Sequence, residues 1–272
     1  MLLQRLITAL ILIPLVIAGV LYLPTTSLAA IFALIVLLAA REWTSLAGLE
    51  QFTHKLIFFA AVTAGIAGSY WLIQRAEMAW LLFAVSTLWW VVTTIILIRY
   101  RPQQPLFGGA LTKSLLGVFV LVPAWAALVM IHGYGEKGPM LLLFSLTLTW
   151  VADSGAYFAG RRWGRVKLAP AISPGKTREG VYGALAGSVL WGLLLAWYAP
   201  ELGPLPILVI FCLLVCVISV IGDLFESLLK RQAGIKDSGN LLPGHGGVLD
   251  RIDSMTAVAP VFAFGLLLLG GV

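Results

Sequence analysis

The sequence predicts an all-α, polytopic integral membrane protein with about nine transmembrane helices and a polar cavity that faces the cytoplasm. Of the 272 residues, 60% are hydrophobic and 11% are charged, whereas roughly a quarter of the residues in a soluble domain are charged. The mean hydropathy of +0.99 exceeds what one globular core can bury, so lipid must solvate most of the chain. This composition excludes a soluble domain and a disordered chain, and two cysteines exclude a secreted disulfide scaffold.

Apolar segments alternate with short polar connections along the whole chain. The first segment follows Arg5 and leads directly into the next, so we interpret it as a retained span and not as a cleaved signal peptide. The second is short for a hydrocarbon core of about 30 Å unless it continues past Arg41 and Glu42. The nine predicted spans are 6–23, 27–40, 56–73, 78–98, 114–131, 139–160, 181–198, 205–229 and 252–269.

Positive charge is distributed unevenly among the connections between these spans. If the spans alternate from a cytoplasmic N-terminus, 16 of the 18 lysines and arginines lie on the cytoplasmic side, and only Arg75 and Lys137 lie outside. This bias follows the positive-inside rule and predicts a C-terminus on the outer side of the membrane. The net charge of +6 is then explained by topology and by the anionic lipid surface, so no nucleic-acid partner is expected.

The longest connections, 161–180 and 230–251, are both predicted to be cytoplasmic and are rich in Gly, Pro, Lys and Arg. No soluble domain can be separated from the spans. We therefore predict one membrane domain, 1–272, in which residues 1–138 serve mainly as scaffold and residues 139–272 form the active site. Gly183 and Gly187 in the seventh span predict a close helix contact, inside one chain or between two. His54 and His132 lack a partner at ligand spacing and are interpreted as incidental.

Five carboxylates lie near the predicted membrane surface in the second half of the sequence. Carboxylates at this depth usually face a polar cavity, a metal ion or a cation. Asp223 and Glu226 are three residues apart in the eighth span, as are Asp250 and Asp253 at the start of the ninth, so each pair shares a helix face. With Asp153 from the sixth span, they are predicted to converge in one pocket beneath the two basic loops. Salt bridges between helices are the alternative for any single pair.

Clustered aspartates beside lysines and arginines suit a magnesium ion together with substrate phosphates. Mg²⁺ prefers carboxylate and phosphate oxygens, and the surrounding cations offset the remaining phosphate charge. Residues 243–247 read Pro-Gly-His-Gly-Gly, a backbone that can approach phosphate oxygens closely. Taken alone, this segment is weak evidence, because it lacks P-loop spacing and Gly-rich connections are more often turns. The implied substrate is a phosphate ester.

Two motifs lie in these basic loops. Residues 227–253 read Ser-Leu-Leu-Lys-Arg-Gln-Ala-Gly-Ile-Lys-Asp-Ser-Gly-Asn-Leu-Leu-Pro-Gly-His-Gly-Gly-Val-Leu-Asp-Arg-Ile-Asp, and residues 173–180 read Ser-Pro-Gly-Lys-Thr-Arg-Glu-Gly. The first closely resembles the signature of the phosphatidate cytidylyltransferases, also called CDP-diacylglycerol synthases, and the second resembles their Ser-Pro-x-Lys-Thr-x-Glu-Gly motif. The resemblance is specific from about residue 153 to residue 253 and only compositional before that. Chain length and multiple spans resemble the bacterial members.

The resemblance implies transfer of a cytidylyl group from CTP to phosphatidate, which gives CDP-diacylglycerol and pyrophosphate for phospholipid synthesis and requires Mg²⁺. The lipid phosphate would attack the α-phosphorus of CTP in line, so catalysis would consist of positioning, metal binding and charge stabilisation. The resemblance also implies a homodimer in a bacterial inner membrane, with its active site on the cytoplasmic side. A second ion, such as K⁺, is left open.

The residues that these patterns select fall into three groups. The predicted metal ligands are Asp223, Asp250, Asp153 and Asp253, with Asp250 as the first choice. The predicted catalytic residues are Asp250, Asp223, Lys230, Arg231 and His245. The predicted substrate-binding residues are Ser173, Lys176, Thr177, Lys236, Gly246, Gly247 and Arg251.

Other functions stay open on the residues alone. An ion-coupled transporter would also carry aspartates within the membrane, but it would place them near the bilayer midplane on broken helices. A lipid-alcohol kinase or a CDP-alcohol phosphotransferase is the second enzyme alternative. The Asp-Gly-x-x-Ala-Arg motif of the phosphotransferases is absent from the sequence.

Overall fold

The computed structural model describes residues 2–101, 106–241, 244 and 246–270, with side chains from residue 10 onward. Nine α-helices account for most of these described residues. They are α1 (Leu2–Tyr22), α2 (Thr25–Ala47), α3 (Phe52–Leu72), α4 (Ala76–Arg99), α5 (Ala110–His132), α6 (Gly138–Trp163), α7 (Arg178–Tyr198), α8 (Leu205–Gln232) and α9 (Leu249–Leu269). A short antiparallel hairpin, β1 (Lys167–Ala169) and β2 (Ser173–Thr177), connects α6 to α7, and a 3₁₀ turn (Pro200–Leu202) connects α7 to α8.

The prediction of an all-α polytopic membrane protein is confirmed. Within the described residues, eight helices, α2 to α9, are long and apolar enough to cross a membrane. The second predicted span does continue past Arg41 and Glu42, because α2 remains helical to Ala47 and reaches 23 residues. In α1, the apolar part with described side chains, Leu10–Tyr22, is shorter than a membrane span. The first of the nine predicted spans therefore stays a prediction.

Helices α5 and α9 form the centre of the bundle. In their most apolar segments, 61% of the residues of α5 and 67% of those of α9 are buried. They pack against each other, while α5 also contacts α2 and α3, and α9 also contacts α4 and α8. Helices α6, α7 and α8 pack in sequence along one side. The central position of α9 brings its first turn, which carries Asp250, into the interior of the protein.

The close helix contact predicted from small residues occurs between α6 and α7 within one chain. Gly155 of α6 and Gly183 of α7 face each other, and a Cβ atom at either position would overlap the backbone of the other. Gly187 packs against Val151 in the same interface. The two backbones can approach this closely only because both helices present glycine at the crossing. Because Val151 and Gly155 flank Asp153 in the sequence, the crossing places Asp153 beside the segment 183–187 of α7.

Buried aromatic side chains fix the position of α8. Phe225 contacts Trp89 and Trp90 of α4 and Phe107 of the preceding connection, with ring centroids 6.1, 5.6 and 5.8 Å apart and edge-to-face geometry. Edge-to-face pairs add stability beyond that of the buried area alone. Because Phe225 lies between Asp223 and Glu226 in the sequence, this packing also fixes the helical segment that carries both carboxylates.

His132 is not incidental to the fold. It is buried at the end of α5, where its Nε2 lies 2.9 Å from the carbonyl oxygen of Val20 and its Nδ1 lies 2.9 Å from Oγ1 of Thr25. A carbonyl can only accept a hydrogen bond, so Nε2 carries the proton and Nδ1 accepts from the Thr25 hydroxyl. The imidazole therefore joins the end of α1, the start of α2 and the end of α5.

Candidate active site

The carboxylates predicted to converge form one electrostatically connected group on α6, α8 and α9. Asp223 interacts with both Asp153 and Asp253, and Asp253 interacts in turn with Glu226. Asp153 and Asp223 lie ten and nine residues before the ends of their helices, which corresponds to about 14 to 15 Å along each axis. Among the described residues, no three His, Cys, Asp or Glu side chains are placed closely enough to hold a metal ion as they stand.

One part of this group is a buried ion triad that we call the Lys230 network: Glu226, Lys230 and Asp250. The ammonium of Lys230 donates to Glu226 Oε1 at 2.9 Å and to Asp250 Oδ1 at 2.6 Å, and all three side chains are buried. Glu226 and Lys230 are one turn apart on α8, the spacing at which side chains meet on a helix surface. Asp250 lies in the first turn of α9, where the helix dipole favours a negative charge.

The connection between α8 and α9, residues 233–248, forms what we call the motif loop. Its backbone binds the second oxygen of Asp250, since the N–H groups of Ser238 and Gly247 donate to Oδ2 at 3.0 and 2.8 Å. Gly246 adopts a φ of +82°, a conformation that favours glycine, and a Cβ there would lie 2.8 Å from the same oxygen. Gly246 is therefore needed for the approach of the loop to Asp250. Their predicted contact with substrate phosphate stays a prediction.

A second part of the group, the Asp223 cluster, consists of Asp153, Lys176, Asp223 and Asp253. Lys176 of β2 pairs with Asp223 Oδ2 at 2.6 Å, and the two side chains are 26% and 28% exposed. Asp223 Oδ1 also accepts from the hydroxyl of Ser227 at 3.2 Å, and Asp253 Oδ1 accepts from the N–H of Ser254 at 2.6 Å. The cluster thus holds three carboxylates and one lysine, and it is more accessible than the Lys230 network.

A cavity of about 300 Å³ opens beside the Asp223 cluster. Its polar wall carries Asp153, Lys176 and Arg161, and its remaining walls are largely small apolar side chains. The apolar and small residues that line it are Ala152, Ala156, Gly160, Leu168, Gly175, Gly180, Val181, Ala184 and Val220. The arrangement gives an amphipathic space between α6, α7 and the hairpin.

The remaining predicted site residues take different positions. Thr177 caps α7, since its Oγ1 accepts from the N–H of Gly180 at 3.1 Å. Arg231 donates from Nε to the carbonyl oxygen of Ile172 at 3.2 Å and so ties the end of α8 to the hairpin. Ser173 is half-buried at the start of β2, Lys236 and Arg251 are exposed, and Arg251 interacts electrostatically with Asp153. His245 lies outside the described residues.

Comparison with known proteins identifies the family of this chain. Residues 3–269 match the model of the cytidylyltransferase family. This chain belongs to that family. It is 43% identical to the phosphatidate cytidylyltransferase of Pseudomonas aeruginosa over 264 residues, which are 97% of this chain and 96% of the relative. It is 34% identical to the phosphatidate cytidylyltransferase of Haemophilus influenzae over 284 residues, with 97% and 98% coverage.

A further relative, the phosphatidate cytidylyltransferase of Bacillus subtilis, is 44% identical over 142 residues, 51% of each chain. The resemblance stated from the motifs is therefore confirmed, and the chain is a nucleotidyltransferase of this family. The bacterial relatives and the many apolar helices together indicate a multi-pass protein of a bacterial membrane.

One residue that contacts the motif loop is absent from the predicted set of site residues. Glu42 of α2 is buried and contacts Ser238 and Val248 of the motif loop and Leu249 at the start of α9. Residues 1–138 are predicted to serve mainly as scaffold, yet this helix reaches the site directly. The available signal is an acidic residue at the end of an apolar span, which is unfavourable unless a partner binds it.

Proposed function

We propose that this protein transfers the cytidylyl group of CTP to phosphatidate, which yields CDP-diacylglycerol and pyrophosphate. The observation that carries the proposal is the amphipathic cavity that joins the Asp223 cluster to an apolar interior. Phosphatidate has two acyl chains and a phosphate monoester, so it needs apolar walls next to cations. Lys176 and Arg161 supply the cations, and the small residues of α6 and α7 supply the walls.

The reaction brings several negative charges together. A phosphate oxygen of phosphatidate forms a bond to the α-phosphorus of CTP, the bond between the α-phosphorus and its bridging oxygen breaks, and pyrophosphate leaves. Two unit charges about 4 Å apart repel by roughly 4 kcal/mol at an effective dielectric constant of 20. We propose that Lys176 and Arg251 offset this charge beside the cavity, and that Arg231 and Lys236 do so on the motif-loop side. No protein nucleophile is required.

We propose Mg²⁺ as the cofactor, held by Asp223, Asp153 and Asp253 with Asp250 as the fourth ligand. The chemistry of the donor set suits a hard divalent cation, because the Asp223 cluster has three carboxylates for one lysine. Binding of the ion would have to draw these carboxylates closer together than they stand in the structure. A buried oxygen near this cluster, Oε2 of Glu226, has no hydrogen-bond partner among the described residues. When bound, the ion would neutralise and orient the phosphates of CTP. A second ion such as K⁺ stays open.

In the same proposal, the hydrogen bonds of Asp250 fix the orientation in which its carboxylate would bind the ion. Its Oδ1 is bonded to Lys230, and its Oδ2 accepts two backbone N–H groups, so the carboxylate is held rigidly. We propose that Lys230, whose ammonium Asp250 holds in place, offsets part of the negative charge of the substrate phosphates. Ser173, Thr177, Gly246, Gly247 and His245 are proposed to contact substrate from the hairpin and the motif loop.

We further propose that the N-terminus and the active site lie on the cytoplasmic side and that the C-terminus is periplasmic. The distribution of lysine and arginine among the connections supports this orientation. CTP would then reach the site from the cytoplasm, and phosphatidate would reach it from the inner leaflet. A homodimer in the inner membrane is proposed as well, on the family resemblance alone.

The test is conversion of phosphatidate and radiolabelled CTP to CDP-diacylglycerol by the purified protein in detergent, with and without Mg²⁺. The same assay is run on Asp250→Asn and on Glu50→Gln, whose side chain is exposed after α2. We expect Mg²⁺-dependent product from the wild type and from Glu50→Gln, and little product from Asp250→Asn. Folded wild-type protein that gives no product with several divalent metals would overturn the proposal.

A further inference from the structure

We infer that Glu42 is a positioning residue of the active site, which holds the motif loop and the start of α9 in the geometry that presents Asp250. Only the expected effect of Glu42 on the reaction rate rests on the proposed function. Its structural part concerns a contact between α2 and residues more than 190 positions later in the chain. Glu42 does not reach Lys230 or the Asp223 cluster through any contact described, so its action passes through the backbone of the loop.

Both carboxylate oxygens of Glu42 are used. Oε1 accepts from the N–H of Val248 at 2.9 Å, and Oε2 accepts from the N–H of Leu249 at 2.8 Å and from the hydroxyl of Ser238 at 3.0 Å. The residue is 8% exposed. A buried carboxylate is stable when hydrogen-bond donors surround it, and here the motif loop supplies two donors and the first residue of α9 supplies the third.

These contacts replace the missing cap of α9. A helix leaves its first N–H groups without partners inside the helix, and a polar side chain at the N-cap position normally accepts one of them. The N-cap residue of α9 is Val248, whose side chain cannot accept a hydrogen bond. Glu42 provides the acceptors from another helix and also places a negative charge at the positive end of the α9 dipole.

The motif loop is shaped to close around this carboxylate. A Cβ atom at Gly239 or at Gly247 would overlap the carboxylate of Glu42. These glycines therefore permit the loop to approach Glu42 from two sides. Glycine is required at these positions because of Glu42, a residue of α2 that lies outside the motif.

The same loop residues link Glu42 to Asp250. Ser238 donates its hydroxyl to Glu42 and its N–H to Asp250, and Gly247, whose N–H binds Asp250, precedes the two N–H groups that bind Glu42. A displacement of the loop from Glu42 would therefore move the donors that hold Asp250. Positioning errors of this kind reduce catalysis even where every catalytic group is retained.

Glu42 also lies on a rigid support. The neighbouring Trp43 is 1% exposed, and its indole N–H donates to the carbonyl oxygen of Lys113 on α5 at 2.9 Å. Gly117 of α5 lies against the indole ring, where a Cβ would leave no room for it. The end of α2 is thereby fixed to the central helix, so Glu42 presents its carboxylate from a fixed base.

The experiment compares Glu42→Gln with the matched control Glu50→Gln. Glutamine has nearly the same shape, but its NH₂ group faces backbone N–H donors and cannot accept from them. In Glu42→Gln we expect kcat to fall by about tenfold or more, with the KM for phosphatidate changed by less than about twofold. Ser238→Ala removes one of the three donors and should show a smaller fall. Glu50→Gln should match the wild type.

Hydrogen exchange in the detergent-solubilised protein provides a readout independent of activity. In Glu42→Gln, peptides containing Val248 and Leu249 should exchange about tenfold faster or more, while the α5 segment 120–127 is unchanged. Unchanged kcat, unchanged exchange at these peptides, or equal acceleration throughout the protein would each overturn the inference. If the wild type lacked cytidylyl transfer, the proposed function would fail, and the exchange data would still decide whether Glu42 holds the loop.

Discussion

The Lys230 network and the Asp223 cluster are neighbouring sets of charges that differ in burial and in how fully their carboxylates are hydrogen-bonded. The network is buried and places one lysine between two carboxylates, with the second oxygen of Asp250 held by backbone N–H groups. The cluster is about a quarter exposed at its ion pair and has three carboxylates for one lysine. A buried set with many internal hydrogen bonds favours one fixed geometry, whereas an accessible set with a larger excess of carboxylates attracts additional positive charge. The first is suited to structure and the second to ligand binding.

The largest expected effect comes from removal of the cation of the network. Lys230→Met leaves Glu226 and Asp250 buried without a counter-charge, and breaking a buried ion pair in this way destabilises a protein by about 3–5 kcal/mol. We expect the midpoint of thermal unfolding in detergent to fall by about 5 °C or more and cytidylyl transfer to be lost. Lys137→Met, which removes an exposed pair with Glu201, is the control, and an equal fall in both variants would contradict the assignment.

The next effect separates function from stability in the Asp223 cluster. Asp223→Asn removes one negative charge from a set with excess negative charge, so we expect the midpoint of thermal unfolding to stay constant or rise. Cytidylyl transfer should fall by about a hundredfold or more, because a proposed metal ligand is lost. Mg²⁺ should raise the midpoint of the wild type and not that of the variant. A loss of stability as large as that of Lys230→Met would remove the contrast between the two sets.

The sequence predicts the cluster better than the network. The spans, and the grouping of Asp223 with Asp153 and Asp253, follow from local composition and helical spacing, which need no tertiary information. Which carboxylate Lys230 binds depends on how α8 and α9 pack, and Asp250 is 20 residues away from it. Local spacing alone predicts Glu226 as its partner.

The contacts of Glu42 and of the hairpin could not be predicted from local sequence patterns. The contact of Glu42 with Val248 joins residues 206 positions apart, so no motif can contain both. The segment 161–180 is predicted only as a loop, and it folds as β1 and β2 because Lys167 pairs with Thr177 across a turn. This hairpin places Lys176 over Asp223, a contact that neither residue's neighbours in the sequence indicate.

A smaller effect tests the close approach of the motif loop. Gly247→Ala places a methyl group against the carboxylate of Glu42 and the hydroxyl of Ser238, so the loop must shift away from Asp250. We expect transfer to fall by about tenfold, with a loss of stability below that of Lys230→Met. Gly68→Ala is the matched control, because a Cβ at Gly68 of α3 meets nothing within 4 Å. Equal activity of the two variants would refute the requirement for glycine.

The smallest effect lies at the other end of α6, about 24 Å along the helix from Asp153. Lys137 donates to Glu201 at 2.7 Å, and this hydrogen bond lowers the pKa of Glu201. A lowered pKa in the folded state stabilises the protein above the ordinary pKa of glutamate, and this contribution is lost as the pH falls through the lowered value.

Both side chains are largely exposed, at 41% and 55%, so solvent screening keeps the contribution small. In Lys137→Met, the pKa of Glu201 should return toward its ordinary value, as measured by ¹³C NMR titration of the carboxyl group. Cytidylyl transfer at neutral pH should stay unchanged, because the pair shares no contact with either charged set. A reduced rate would mean that the two ends of α6 are coupled. The Lys137–Glu201 pair would then have to be counted with the charged sets that determine activity.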